Sequence, residues 1–257
     1  MFDVSSMIAR FAPISLDEME GVALQSRMDT KYLVGETELP GLLGRLVADY
    51  RLLETETGRG TLYRTLYYDT PERRFYRDHH NGRTFRSKVR MREYVGSGTC
   101  FLEVKQRTGR GGTRKRRVPV AAIGPVLSPA QAAFVADAIG SHTELQPVVR
   151  NEFFRYTLVH RTRKERLTLD LRLQFSSGDG TGASIPGLCV AELKEADIGH
   201  GSPFTALVRA LPAPPSNFSK YCIGTVLLNP GVKYNNFKAV LLRAHKVAHL
   251  PAPTFPV

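Results

Sequence analysis

"RSKVRMREYV", residues 86–95, sets Arg86, Lys88, Arg90 and Arg92 at every second position, with Ser87, Val89 and Met91 between them. A period of two is that of a β-strand, whose side chains alternate between faces. Read as a strand, the stretch presents four cations on one face. Like charges at that spacing repel one another, so something opposite them must make the arrangement tolerable. What that is decides the fold. Water suffices if the strand lies in an open sheet, whereas a closed barrel would need an anion or water inside it.

Other segments repeat the pattern. In "CFLEVKQR" (100–107), Phe101, Glu103, Lys105 and Arg107 share one face, and Leu102 and Val104 take the other. In "RLTLDLRLQF" (166–175), Leu167, Leu169, Leu171, Leu173 and Phe175 form one face, and Arg166, Thr168, Asp170, Arg172 and Gln174 the opposite one. "LCVAELKEA" (188–196) carries Glu192 and Lys194 on the face of Leu188 and Val190. Several strands thus carry one apolar face and one face rich in arginine, lysine and glutamate. An open sheet with helices on one side accounts for any one of these strands. Several together, one with an all-cation face, favour a closed barrel with charges inward and helices covering the outside.

The helices have clear boundaries. "SLDEMEGVALQSRM" (15–28) starts with Ser15 and has Glu18 three residues on, a capping box. "TELPGLLGRLVADY" (37–50) has leucines at helical spacing and Pro40 near its start. "SPAQAAFVADAIG" (128–140) runs from Ser128 to Gly140. The tail reads as "SPFTALVRAL", "FSKYCIGTVLL" and a C-terminal helix over 233–248. No internal repeat or long linker divides the chain, so one domain over 1–257 is expected, α+β in class.

The chain has 257 residues and a net charge of +12 at pH 7, with a pI near 9.8. That balance points to an anionic partner: nucleic acid, polyphosphate, nucleotide or an acidic membrane surface. Cys100, Cys189 and Cys222 form no CxxC pair, which argues against a zinc site or a disulfide framework. No apolar run reaches the ~18 residues of a membrane span, and no signal peptide is evident. A cytoplasmic location is expected. The chain has no tryptophan, and most of its tyrosines and phenylalanines fall on apolar strand faces, which argues against RNA as the partner.

"TKYLV", "LYYDT", "KVRMREY", "FLEVK", "FFRYTL", "RLTLDLRLQF", "VAELK" and "FSKYCIG" follow in that order over residues 27–224. Together they resemble the VTC domain, the polyphosphate polymerase domain of the vacuolar transporter chaperone complex, within the triphosphate tunnel metalloenzyme (CYTH-like) superfamily. The resemblance implies a closed antiparallel eight-stranded β-barrel, a tunnel for a triphosphate. It implies phosphate- or ATP-binding roles for Lys31, Arg83, Arg90, Arg92, Lys105, Lys115, Arg155, Arg166, Lys194 and Lys220. Arg150 competes with Arg155, and Arg116 with Lys115. Glu192 would hold a divalent metal, Mn²⁺ or Mg²⁺, with Glu103 orienting cations or helping with the metal, and Asp170 would be an acidic tunnel residue. Arg90, Arg92, Lys105, Lys220 and Glu192 would be the catalytic set.

The superfamily's fuller ExExK signature is missing from the first strand, where Lys31 stands alone; this suits the VTC branch. The SPX sensor domain and membrane spans of the eukaryotic subunits have no counterpart here, so export of a product would need a separate membrane partner. The activity implied is transfer of the γ-phosphate of ATP onto inorganic polyphosphate. A triphosphatase, or a non-enzymatic polyphosphate or nucleic-acid binding module, are the alternatives.

Overall fold

A computed structural model describes residues 4–20, 28–109, 112–196, 201–211 and 213–253. The chain runs through α1 (Ser5–Ile8), β1 (Ala12–Ile14), α2 (Leu16–Glu20), β2 (Met28–Gly35), α3 (Leu39–Leu46), β3 (Tyr50–Leu53), β4 (Thr61–Asp69) and α4 (Arg74–His80). Then come β5 (Arg86–Tyr94), β6 (Thr99–Arg107), β7 (Thr113–Val120), α5 (Pro129–Ile139), β8 (Gln146–His160), β9 (Glu165–Ser176), β10 (Gly182–Ser184) and β11 (Leu188–Glu195). Three helices follow: α6 (Pro203–Val208), α7 (Lys220–Leu228) and α8 (Asn235–Val247). None of the described helices is long and apolar enough to cross a membrane.

Local signals set the helix ends. Ser128 caps α5 through a full capping box with Gln131, and Gly140 ends it in the left-handed conformation (φ 77°). Ser15 and Glu18 exchange hydrogen bonds at the start of α2, as expected; the rest of the helix anticipated over 15–28 lies outside the described residues. Ser202 and Ser219 cap α6 and α7.

All eleven strands join one sheet, ordered β2-β11-β9-β8-β4-β5-β6-β7, with the short β1, β3 and β10 attached beside it. The closed eight-stranded barrel expected from sequence is therefore corrected on two counts. The sheet has eleven strands, and among the described residues it is open between β2 and β7. Both edges explain why. The free edge of β2 is taken by another segment: Tyr32 bridges to Pro215, and the Ser216 N–H donates to the Lys31 carbonyl at 2.8 Å. The free edge of β7 carries Arg114, Lys115, Arg116 and Arg117, and its Pro119 has no N–H to give. Charge and proline both discourage strand pairing. The sheet still curls strongly. Lys105 of β6 lies near enough to Lys31 of β2, at the far end of the strand order, for their charges to act on one another. The result is a trough with a seam.

The apolar side of the sheet packs against α1, α3 and α6 through Leu158, Leu167, Leu169 and Leu171, which meet Leu39, Leu43 and Phe204. A second layer, with α5, covers Leu66, Val89, Met91 and Leu102. The single apolar face expected for β9 does not persist. Arg172 takes a left-handed conformation (φ 54°), and the register against β8 shifts between Glu152 and Phe154, a β-bulge. Beyond it, Leu173 and Phe175 turn to the other side and pack with Tyr221 and Ile223 of α7. The bulge is what allows α7 to enter the charged side of the sheet. Gly224 makes the fit close, since a Cβ there would stand 2.5 Å from the Phe175 ring.

Candidate functional site: a cationic trough

Strand parity brings the charged residues to one concave face. The register pairs Arg90 with Glu103, Lys88 with Lys105, and Lys105 with Lys115. Glu192 stands opposite Lys31 on one side and Thr168 on the other, and Arg155 stands opposite Asp170.

Three carboxylates organise this face, each shared by two cations. Glu103 takes the Arg90 guanidinium at 2.7 Å and the Lys115 ammonium. Asp170 takes Arg155 through two bonds, 2.5 and 2.7 Å, and the Lys220 ammonium from α7. Glu192 faces Lys31 at 3.5 Å and Lys194 at 3.2 Å. Glu103 and Asp170 are each only 1% exposed. Burial alone would raise all three pKa values, but the neighbouring cations outweigh it. Glu103 is lowered to about 2, Asp170 lies below its ordinary value, and Glu192 lies well below. All three are ionised at neutral pH.

Other cations on this face make no ion pair among the described residues. Lys88 donates to the Ser219 hydroxyl at 3.0 Å. Arg92 donates to Thr65 at 3.1 Å, with its guanidinium over the rings of Tyr63 and Phe153. Lys105 is depressed to about 8, first by desolvation and then by the charges of Lys31 and Lys88. The four cations of β5 thus find four different partners: the Arg83 carbonyl for Arg86, Ser219 for Lys88, Glu103 for Arg90, and Thr65 with two aromatic rings for Arg92. Only one of these partners is an anion. Tyr67 of β4 lies beneath them. Burial raises its phenol, and Arg90, Arg92, Lys88 and Lys220 more than reverse that.

Of the residues singled out from sequence, Lys31, Arg90, Arg92, Glu103, Lys105, Lys115, Arg155, Asp170, Glu192, Lys194 and Lys220 gather on this face. Arg166 shares it by parity, opposite Lys194, but donates to the Met19 carbonyl at 3.3 Å. Arg150 is exposed on the other face, and Arg155 takes the inward place. Arg116 also turns away, to Asp137 and the Phe134 ring on α5. Arg83 lies in the exposed loop before β5. Sequence reasoning missed Arg117, which stands opposite Glu103 with its guanidinium 4.6 Å from the Phe101 ring. Its parity with Lys115 was the available signal. The clamp of Tyr63 and Phe153 around Arg92 and Arg155 was missed as well, because nothing local announces it.

No three His, Cys, Asp or Glu side chains gather as a metal site among the described residues. Glu192 is nonetheless a hard, ionised oxygen donor on the trough face, and Lys194 bridges it to Asp29. Such a carboxylate suits a hard divalent ion as one ligand, the rest of the shell having to come from elsewhere.

Among the described residues, Lys88, Arg92 and Lys105 thus lie on the concave face of a curled antiparallel sheet without an acidic partner. The chain belongs to the VTC domain family, whose model matches residues 26–229. No curated protein shows significant similarity to it. Among solved structures it is similar to HpAC1 from Hippeastrum, a proposed adenylyl cyclase with dominant triphosphatase activity (17% identity, 77% of this chain and 95% of that one, TM-score 0.47). It is also similar to PH1819 from Pyrococcus horikoshii OT3 (12% identity, 77% and 97%, TM-score 0.44). A proposed adenylate cyclase from Vibrio parahaemolyticus is a third (15% identity, 73% and 83%, TM-score 0.41). All three are distant likenesses.

Proposed function

We propose that this VTC-domain chain is a metal-dependent phosphotransferase that moves the γ-phosphate of ATP onto the end of an inorganic polyphosphate chain. The observation that carries this reading is the set of cations without an acidic partner among the described residues, Lys88, Arg92 and Lys105, lying between cations already held by Glu103, Asp170 and Glu192. Charge left uncompensated in a concave site is costly unless an anion completes it.

Phosphoryl transfer needs positioning and charge stabilisation more than covalent help from the protein. Lys88, Arg90, Arg92, Lys105 and Lys115 bind phosphate oxygens along β5, β6 and β7. Arg155 and Lys220, fixed by Asp170, hold the reacting phosphate from the opposite side. A terminal oxygen of the acceptor chain attacks the γ-phosphorus, the bond to the β–γ bridging oxygen breaks, and ADP leaves. The acceptor phosphate is already an anion, so no side-chain base is required. Glu192, with Asp29 near it, would hold a divalent ion, which supplies further charge neutralisation at the phosphates.

A second reading, triphosphatase activity, draws support from the lack of pairing between β2 and β7 among the described residues, since an open sheet would admit water as the attacking group. Incubation with ATP and Mn²⁺ followed by ³¹P NMR separates the two. Bridging-phosphate resonances growing with ADP support polymerisation. Free phosphate alone makes the chain a hydrolase. Unchanged ATP makes it a binder.

A further inference from the structure

Phe85 is the one exposed aromatic side chain among the described residues, with 72% of its surface open. A lone exposed phenylalanine is not unusual by itself. Its place in the fold gives it meaning. It immediately precedes β5 at the lip of the trough. The next residue, Arg86, stands opposite Arg107 in the terminal pair of the β5–β6 ladder. Neither arginine makes an ion pair among the described residues, although like charges directly across a ladder repel. The Arg86 guanidinium donates to the Arg83 carbonyl at 2.7 Å, which ties the preceding loop to the strand and fixes the residues between. The tip of the Phe85 ring rests on Gly109, just past the end of β6, where a Cβ would come within 2.9 Å of the ring. A flat apolar ring therefore stands against Gly109 at the end of the β5–β6 ladder, beside two arginines that make no ion pair among the described residues.

We propose that Phe85 is the stacking platform for the nucleobase of a nucleoside triphosphate, with Arg86 and Arg107 meeting the phosphates nearest the ribose. The proposal rests on the reading of the trough as an ATP site and adds its base-recognition end. Along β5, at about 3.3 Å per residue, Lys88 lies roughly 10 Å and Arg90 roughly 17 Å from Phe85. That interval brackets the span from a base through its ribose to a terminal phosphate. Stacking on an aromatic ring tolerates any base, because every base has a π-face, and it favours the larger purines. The site therefore prefers ATP and GTP to CTP and UTP, with little choice between the two purines.

The test is calorimetric binding of ATP, CTP and tripolyphosphate, without divalent metal so that no turnover occurs, to wild type, Phe85→Ala and Phe85→Trp. The side chain is exposed, so both variants keep the fold. Phe85→Ala is expected to weaken ATP roughly five- to tenfold, the lower part of the range for aromatic–base stacking. CTP should weaken less and tripolyphosphate by no more than about twofold, and Phe85→Trp should retain ATP affinity. If ATP affinity is unchanged in Phe85→Ala, or falls in step with tripolyphosphate, the platform is wrong while the trough stands. If wild type binds tripolyphosphate but not ATP, the base site is likewise refuted. If wild type binds neither, the phosphate trough itself is refuted and the platform falls with it.

Discussion

Glu192 and Lys31 face each other in register across β11 and β2, and the same carboxylate also receives Lys194. Two ammonium groups hold Glu192 ionised well below the ordinary carboxylate range, despite its burial. On the proposed reading, phosphates would neutralise those neighbours and leave Glu192 to hold a divalent ion. Glu192→Gln keeps the shape and removes the charge. It is expected to lower kcat by at least about a hundredfold, the scale of losing one group that stabilises developing charge. Tripolyphosphate binding without metal should survive. Steady-state rates across a Mn²⁺ titration check this, and an unchanged kcat removes Glu192 from the metal site.

Asp170 is the structural counterpart of that position. It holds Arg155 and Lys220 together, and through Lys220 it anchors α7 over the trough. Asp170→Asn leaves two mostly buried cations without their anion, at a cost of about 3–5 kcal/mol. Its folded-state pKa is depressed, so its stabilising contribution is fully present above the unfolded value and is lost as pH falls through the folded value. Urea unfolding at neutral and acid pH should show a large deficit for Asp170→Asn near pH 7 that shrinks as the medium becomes acidic. A deficit that does not change with pH would show that Asp170 is not the anion holding this pair.

Much of this arrangement was legible in the sequence. The cations of residues 86–92 and the alternation of 100–107 pointed to a charged face because a period of two survives in any regular strand. The caps at Ser15, Ser128 and Gly140 follow from backbone chemistry within a few residues. Closure was not legible. It depends on what meets the outer edge of β2, and Pro215–Ser216 reaches that edge from far along the chain. Nor was the change of sides in β9. The alternation from Leu167 to Phe175 continues unbroken in sequence, yet the left-handed backbone of Arg172 sends its two halves to different layers. The choices of Arg155 over Arg150 and Lys115 over Arg116 turned on register, which the partner strands set.

Lys105 makes binding sensitive to pH. Its folded-state value near 8 lies below the unfolded value, so the empty protein binds fewer protons than the unfolded chain between about 8 and 10.5, and its stability rises with pH across that window. A bound polyanion favours the charged ammonium and raises the pKa. Tripolyphosphate binding at pH 8 is therefore expected to take up about half a proton. Calorimetry in buffers of different ionisation enthalpy measures this uptake. Lys105→Met should remove it, and the same uptake in that variant would assign the proton to another group.

The claim that the trough is completed by a phosphate chain is tested most directly by melting wild type and the Lys88→Met/Lys105→Met variant with and without tripolyphosphate. Lys88 and Lys105 are cross-strand neighbours, and neither makes an ion pair among the described residues, so replacing them strips no carboxylate of its partner. The empty variant should melt at or above the wild-type Tm, because a like-charge pair has been removed. For wild type, ligand at a hundredfold excess over Kd stabilises the fold by about 2.7 kcal/mol, a rise of several degrees. The account predicts that most of this rise disappears in the variant. A ligand-induced shift of equal size in both proteins would contradict it.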